Sequence, residues 1–166
     1  MTARRMYALR LGEVLPHRDL NVLRGIEGAR MKEAYALWAN RIGIEWRGRC
    51  YDRANPNAAD LPNQALNHAA SAVEAAAAIA VTATSTIPQL GFIHEDAGHS
   101  FVLDIADLYR DAVIIPCAFK AARRIHEHPG ENIERTTRRL TGKVLSDQNV
   151  IPEMIERIKA LIEGHD

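Results

Sequence analysis

Cysteine is scarce in this sequence: only Cys50 and Cys117 occur among 166 residues, with no CxxC pair and no histidines crowded beside either one. A disulfide framework and a zinc-thiolate site are both unsupported, and a reducing compartment, the cytoplasm, is the expected location. Net charge is missing too, with 21 Lys and Arg against 21 Asp and Glu. The summed field therefore exerts no strong pull toward nucleic acid or acidic membranes, and local clusters must carry any such case. Long apolar runs are absent. The longest weakly polar stretch, Ala69 to Ala83, is alanine-rich and contains Glu74, which reads as a soluble helix rather than a membrane span. The start, MTARRMYALRLGEV, is basic but lacks an apolar core and a small-residue cleavage site, which argues against a signal peptide. Strand signal is sparse, and neither internal repeats nor low-complexity tails occur.

What is present reads as helices in a single domain, the size at which one real core forms. Asp19 is placed to cap a helix ending near Arg41, before Gly43, with Leu20, Leu23, Glu27, Met31, Ala34 and Trp38 along one face. Ile44 to Tyr51 alternates around Arg47-Gly48 and admits a small hairpin. Ala54 to Pro62 reads as a loop. Asp60 then caps a second long helix, with Pro62 in its first turn. Ser100 is placed to cap a third helix from Phe101, Pro116 starts a fourth, and His128-Pro129-Gly130 ends it. Asn132 to Leu145 and Pro152 to Glu163 complete the series, the last with Ile151, Ile155, Ile158 and Ile162 at helical spacing. The expected fold is mainly α, a compact helical domain of five to seven helices with room for one small hairpin.

Chemistry concentrates in Gly91 to Asp107, GFIHEDAGHSFVLDIAD. Asp104, Asp107 and Asp111 follow i, i+3, i+7 spacing beside an apolar stripe of Phe101, Ile105, Leu108 and Ala112. Three like charges near a core need a compensating cation, whereas on an open face solvent suffices. Far upstream, Glu27 is the only charge on its helical face. It is either satisfied by Arg24 or Arg30 or aimed at a ligand. Gly25 and Gly28 flank it at about 1 kcal/mol each relative to alanine in a helix interior, which points to a close approach of another backbone or a ligand. His94 taken alone is an ordinary loop histidine, as are His99, His126 and His128. Between Lys120 and Lys143 the bases Lys120, Arg123, Arg124, Arg135, Arg138, Arg139 and Lys143 outnumber Glu127, Glu131 and Glu134, forming a basic segment in a neutral protein.

The runs Leu23-Arg24-Gly25-Ile26-Glu27-Gly28, Arg49-Cys50-Tyr51-Asp52, Leu61-Pro62-Asn63-Gln64, Gly91-Phe92-Ile93-His94 and Ser100-Phe101-Val102-Leu103-Asp104-Ile105-Ala106-Asp107 resemble, in order and spacing, the CRISPR adaptation integrase. This is the CRISPR-associated endonuclease that inserts new spacers, and the likeness is closest to its type I-E form. The resemblance implies a divalent-metal site of Glu27, His94 and Asp107, with Asp104 as a further acid at the catalytic site, either positioning a hydroxyl or supporting a ligand. It implies Mg²⁺ or Mn²⁺, which the carboxylate-rich set favours. It further implies attack of a DNA 3′-hydroxyl on a repeat phosphodiester, and DNA contacts from Arg135 and Arg138, whose other reading is a solvated face paired with Glu131 and Glu134. The partners implied are protospacer and repeat DNA, a small ferredoxin-like adaptation protein and a second copy of the chain. Family members carry a β-rich N-terminal domain to which nothing in these residues corresponds, so an inactive DNA-binding or assembly module stands as the alternative. A ferritin-like bundle expects paired Glu-x-x-His motifs, and none is present.

Overall fold

The computed structural model describes residues 2–50, 59–95 and 98–163, and the core is built around the alanine-rich stretch. In chain order the described residues form α1 (Thr2–Leu11), α2 (Leu20–Ile42), α3 (Leu61–Ala83), α4 (Ser100–Asp107), a π-helical turn (Arg110–Ile114), α5 (Ile115–Glu127), α6 (Ile133–Asp147) and α7 (Val150–Glu163), with no strand among them. The fold is thus mainly α, as expected. Helix α3 is its hub: α4, α5, α6 and α7 pack on it, while α1 packs on α2 and α2 on α5. The buried Ala65, Ala69, Ala76, Ala77 and Ala80 are too small to hold neighbours off, so several helices approach α3 together. Leu66, Val73 and Val81 supply larger buried side chains, each contributing about 1.5–3 kcal/mol by leaving water.

Helix ends follow the expected chemistry. Asp19 accepts from the Asn21 N–H and Gly43 closes α2 at φ 74°, Asp60 accepts from the Asn63 N–H with Pro62 beside it, and Asn132 accepts from the Arg135 N–H. Other expectations change. His99 takes the cap position of α4, so Ser100 is its first helical residue. Residues 44–50 form no hairpin strand. Asn63 stands in for a partner strand there, accepting from the Cys50 N–H at 2.9 Å and donating to the Gly48 carbonyl at 3.0 Å. Trp46 is then pinned to the core, stacked on Tyr35 at 5.2 Å and edge-on to Phe119 at 5.3 Å between centroids. Tyr51 and most of the expected loop, residues 51–58, lie outside the described residues. On α2, Leu20 is exposed and Tyr35 and Ala39 join the buried face. On α7 the buried stripe is Val150, Met154, Ile158 and Leu161, with Ile162 left 57% exposed. Its centre sits about one residue earlier than the isoleucine spacing predicts, with Met154 and Leu161 taking places in the core and α7 packed on α3 and α6.

The break between α4 and α5 decides the shape of the acidic region. Asp104, Asp107 and Asp111 share a face only if one helix runs through all of them. Instead α4 stops at Asp107, a turn follows, and the N–H groups of Ile114 and Ile115 reach back five residues to the carbonyls of Tyr109 and Arg110. Pro116 supplies the cause: it has no N–H for a continuing helix, and its ring crowds the carbonyl of Ala112. The shift in register turns Asp111 and Ala112 out to solvent while Asp104 and Asp107 remain buried.

Candidate functional site

Asp104 is fully enclosed, at 0% exposure. The N–H groups of Ile93 and His94 donate to its carboxylate at 3.1 and 3.0 Å, Phe92 N–H donates as well, and His94 Nδ1 lies 2.7 Å from Oδ1. The connector before α4 therefore wraps around this one carboxylate. Gly91 lets it do so, since a Cβ there would fall 2.5 Å from Ser100 Cβ and 2.8 Å from the Ser100 backbone carbon. Burial alone would raise the Asp104 pKa, but His94 and the three N–H donors outweigh it and hold the carboxyl below its ordinary range. The same bond raises the His94 pKa against the opposing effect of burial. With Nδ1–H directed at Asp104, His94 Nε2 faces Asp107 Oδ2 at 3.5 Å.

Asp107 lies one turn further along α4 and is 9% exposed. Its Oδ2 accepts from Arg10 Nη2 at 2.8 Å, and its Oδ1 pairs with Arg110. The same Arg10 nitrogen also contacts Glu27 Oε1, so one guanidinium of α1 bridges carboxylates from α2 and α4. Burial raises the Glu27 pKa, with Arg10 pulling the other way. The expected partners Arg24 and Arg30 do not fill this role: Arg30 pairs with Glu13, and Arg24 only lines the neighbouring cleft. No backbone closes on Gly25 or Gly28 either, since a Cβ added at either would meet nothing within 4 Å. Gly28 instead borders open space.

That space is a cleft of about 470 Å³ bordered by Tyr7, Arg10, Glu27, His94, Asp107 and Arg110, among others. Glu74 of α3 adds another acid whose pKa is raised first by burial and then by Asp107. Sequence reading noticed Glu74 only as an interruption of the alanine run, and it missed α1 and Arg10 altogether. The donors suit a hard divalent cation: two carboxylates from different helices and one imidazole whose other nitrogen is already held. The Tyr7 hydroxyl, buried and without a hydrogen-bond partner among the described residues, belongs to a side chain on the same cleft. Among the described residues no three His, Cys, Asp or Glu side chains are drawn up to coordinate an ion. Arg10 lies between Glu27 and Asp107.

The structure thus gathers Glu27, His94 and Asp107 around one cleft, keeps Asp104 enclosed behind His94, and leaves Arg135 and Arg138 elsewhere, exposed on α6. Arg138 pairs with Glu134 at 3.0 Å, and Arg124 of α5 pairs with Glu131 at 2.7 Å. Among the described residues no helix is long and apolar enough to cross a membrane.

Comparison with known proteins agrees over nearly the whole chain. The family described as CRISPR associated protein Cas1 matches residues 3–162. CRISPR-associated endonuclease Cas1 2 of Thermus thermophilus is 38% identical over 161 residues, covering 96% of this chain and 48% of the relative. CRISPR-associated endonuclease Cas1 of Escherichia coli is 35% identical over 160 residues, covering 96% and 51%. The chain spans about half the length of these curated relatives. Among solved structures, the crystal structure of a TtCas1–DNA complex aligns with a TM-score of 0.88 at 36% identity, over 98% of this chain and 59% of that one.

Proposed function

The chain belongs to the CRISPR associated protein Cas1 family, and from that premise we propose that it is the helical lobe of a divalent-metal-dependent DNA nuclease and integrase of CRISPR spacer acquisition. The observation that carries this reading is that Glu27, His94 and Asp107 border one open cleft, with His94 Nε2 3.5 Å from Asp107 Oδ2 and Glu27 joined to that same oxygen through Arg10. These residues would hold Mg²⁺ or Mn²⁺. When bound, the ion supplies positive charge to a phosphodiester and lowers the pKa of an attacking hydroxyl.

The remaining steps belong to the chain's own side chains. Asp104 has both oxygens committed to His94 and to backbone N–H groups, so it acts as a positioning residue that sets the His94 tautomer and ring orientation rather than as a ligand. Asp107 and Glu27 bring buried negative charge that Arg10 and Arg110 offset in the protein and a bound divalent ion would offset in their place. Arg110 holds Asp107 Oδ1, which leaves Oδ2 to Arg10 and to the His94 Nε2 side. The nucleophile in this reading is the 3′-hydroxyl of incoming DNA, and no side chain forms a covalent intermediate. Arg135 and Arg138 contact phosphates without reading bases. A relative solved in complex with DNA supports DNA as the partner, and a ferredoxin-like adaptation protein and a second copy of the chain belong to the same proposal.

Incubation of the purified chain with branched or 3′-hydroxyl DNA and Mn²⁺ tests the reading. Turnover by wild type that is lost in His94→Ala and Asp107→Ala is the expected result. Equal activity in both variants would remove the site, and DNA binding without turnover by wild type would favour the assembly-module alternative.

A further inference from the structure

We infer that Arg10 is a built-in counter-cation that occupies the divalent-ion position of the cleft and must leave it for an ion to bind. This rests on the metal reading above and adds a competitor to it. A single atom, Arg10 Nη2, contacts both Glu27 Oε1 and Asp107 Oδ2, the two oxygens that would be an ion's carboxylate ligands. His94 Nε2 stands 3.5 Å from that same Asp107 oxygen, so the guanidinium nitrogen holds both carboxylates, and the imidazole lies beside one of them. The side chains are largely buried at the cleft wall, at 6% exposure for Arg10, 11% for Glu27 and 8% for Asp107. Two buried carboxylates at such an approach repel unless a cation lies between them.

Arg10 is therefore no spectator at the rim. Its departure leaves two negative charges facing each other, and an ion's arrival leaves the guanidinium without its partners. Occupancy by one excludes the other. Helix α1 makes the exchange feasible, because among the helices it has substantial packing only against α2 and Arg10 lies in its last turn. Arg110 cannot replace it, since its contact is with Asp107 Oδ1, on the other side of the carboxylate.

The test uses the whole chain, with Mn²⁺ and Mg²⁺ as the only probes. By calorimetry, Arg10→Met is expected to bind Mn²⁺ about tenfold more tightly than wild type or better, because its competent state is no longer blocked. In the wild type, the Arg10 Nη2–H resonances are expected to be protected without metal and to exchange rapidly at saturating Mg²⁺. That second measurement decides the matter even where Arg10→Met fails to fold. Mn²⁺ binding by wild type and variant with equal affinity, or an Arg10 resonance still protected at saturation, overturns the counter-cation role while leaving the metal site standing. Absence of Mn²⁺ binding in wild type and Arg10→Met alike overturns the metal reading and the counter-cation with it.

Discussion

Arg10 with Glu27 and Arg138 with Glu134 are the same two side chains in different surroundings. The first pair is 6% and 11% exposed and the second 56% and 51%. The exposed pair on α6 is screened by water and contributes about 0–1 kcal/mol, so Arg138 can exchange Glu134 for a phosphate at little cost. The buried pair has no such freedom. Removing one member strands the other in a place where water cannot compensate, and that is what turns an ion pair into a site demanding a cation. Charge alone separates nothing here; burial does.

Asp104 provides the severest way to break the contrast. Asp104→Ala leaves three N–H donors and His94 without their acceptor, and is expected to cost roughly 3–5 kcal/mol, the range for breaking a buried charged pair. Urea denaturation followed by circular dichroism measures it, and a destabilisation no larger than that of a surface substitution would show the enclosure of Asp104 to be unimportant. Gly91→Ala comes next, because the new Cβ meets the backbone and Cβ of Ser100 rather than the end of a flexible side chain. A destabilisation of roughly 1–3 kcal/mol is expected, together with weakened Mn²⁺ binding as the His94 segment is pushed off α4.

The pH dependence sharpens the same contrast from the side of titration. Asp104 has a folded pKa below the usual 3.8, so its contribution is present above that value and is lost as pH falls through the depressed one. His94 has a folded pKa above the usual 6.5, so its contribution is complete below 6.5 and is lost as pH rises through the raised value. The stability gap between wild type and His94→Gln should therefore shrink as pH rises above 6.5, as checked by melts from mildly acidic to alkaline buffer. A gap that widens over that range would contradict the assigned direction.

The smallest effect on folding is expected on α6. Arg135→Ala combined with Arg138→Ala should alter stability within about 0.5 kcal/mol, as surface changes do. If these residues meet phosphates, the same variant weakens DNA binding and lowers the salt slope by about one for each phosphate no longer neutralised. An unchanged slope in a fluorescence titration across salt concentrations would remove them from the DNA surface.

Much of this arrangement is legible in the order of the residues. Asp19, Gly43, Asp60, Pro62, Asn132 and Pro116 punctuate helices by local chemistry, and each stands at or beside the boundary it marks. Glu27 stands out because a lone charge on an apolar face is conspicuous, and His94, Asp104 and Asp107 because they crowd one short segment. Other features are hidden for identifiable reasons. Arg10 lies in a basic opening stretch where nothing distinguishes one arginine from its neighbours. Glu74 looks like an ordinary solubilising charge in an alanine helix. Asp111 keeps perfect helical spacing with Asp107, yet the π-helical turn ahead of Pro116 swings it away.

The sequence by itself determined the mainly α fold, the positions of most helix ends and the acidic segment with its histidine, because caps, periodicity and proline act over a few neighbouring residues. Only the tertiary structure decided which acids are buried, that Asp104 is spent on holding His94, and that Arg10 lies between Glu27 and Asp107. Those facts depend on how far each charge is removed from water and on what α1, α2, α3 and α4 bring against one another. No local spacing encodes that.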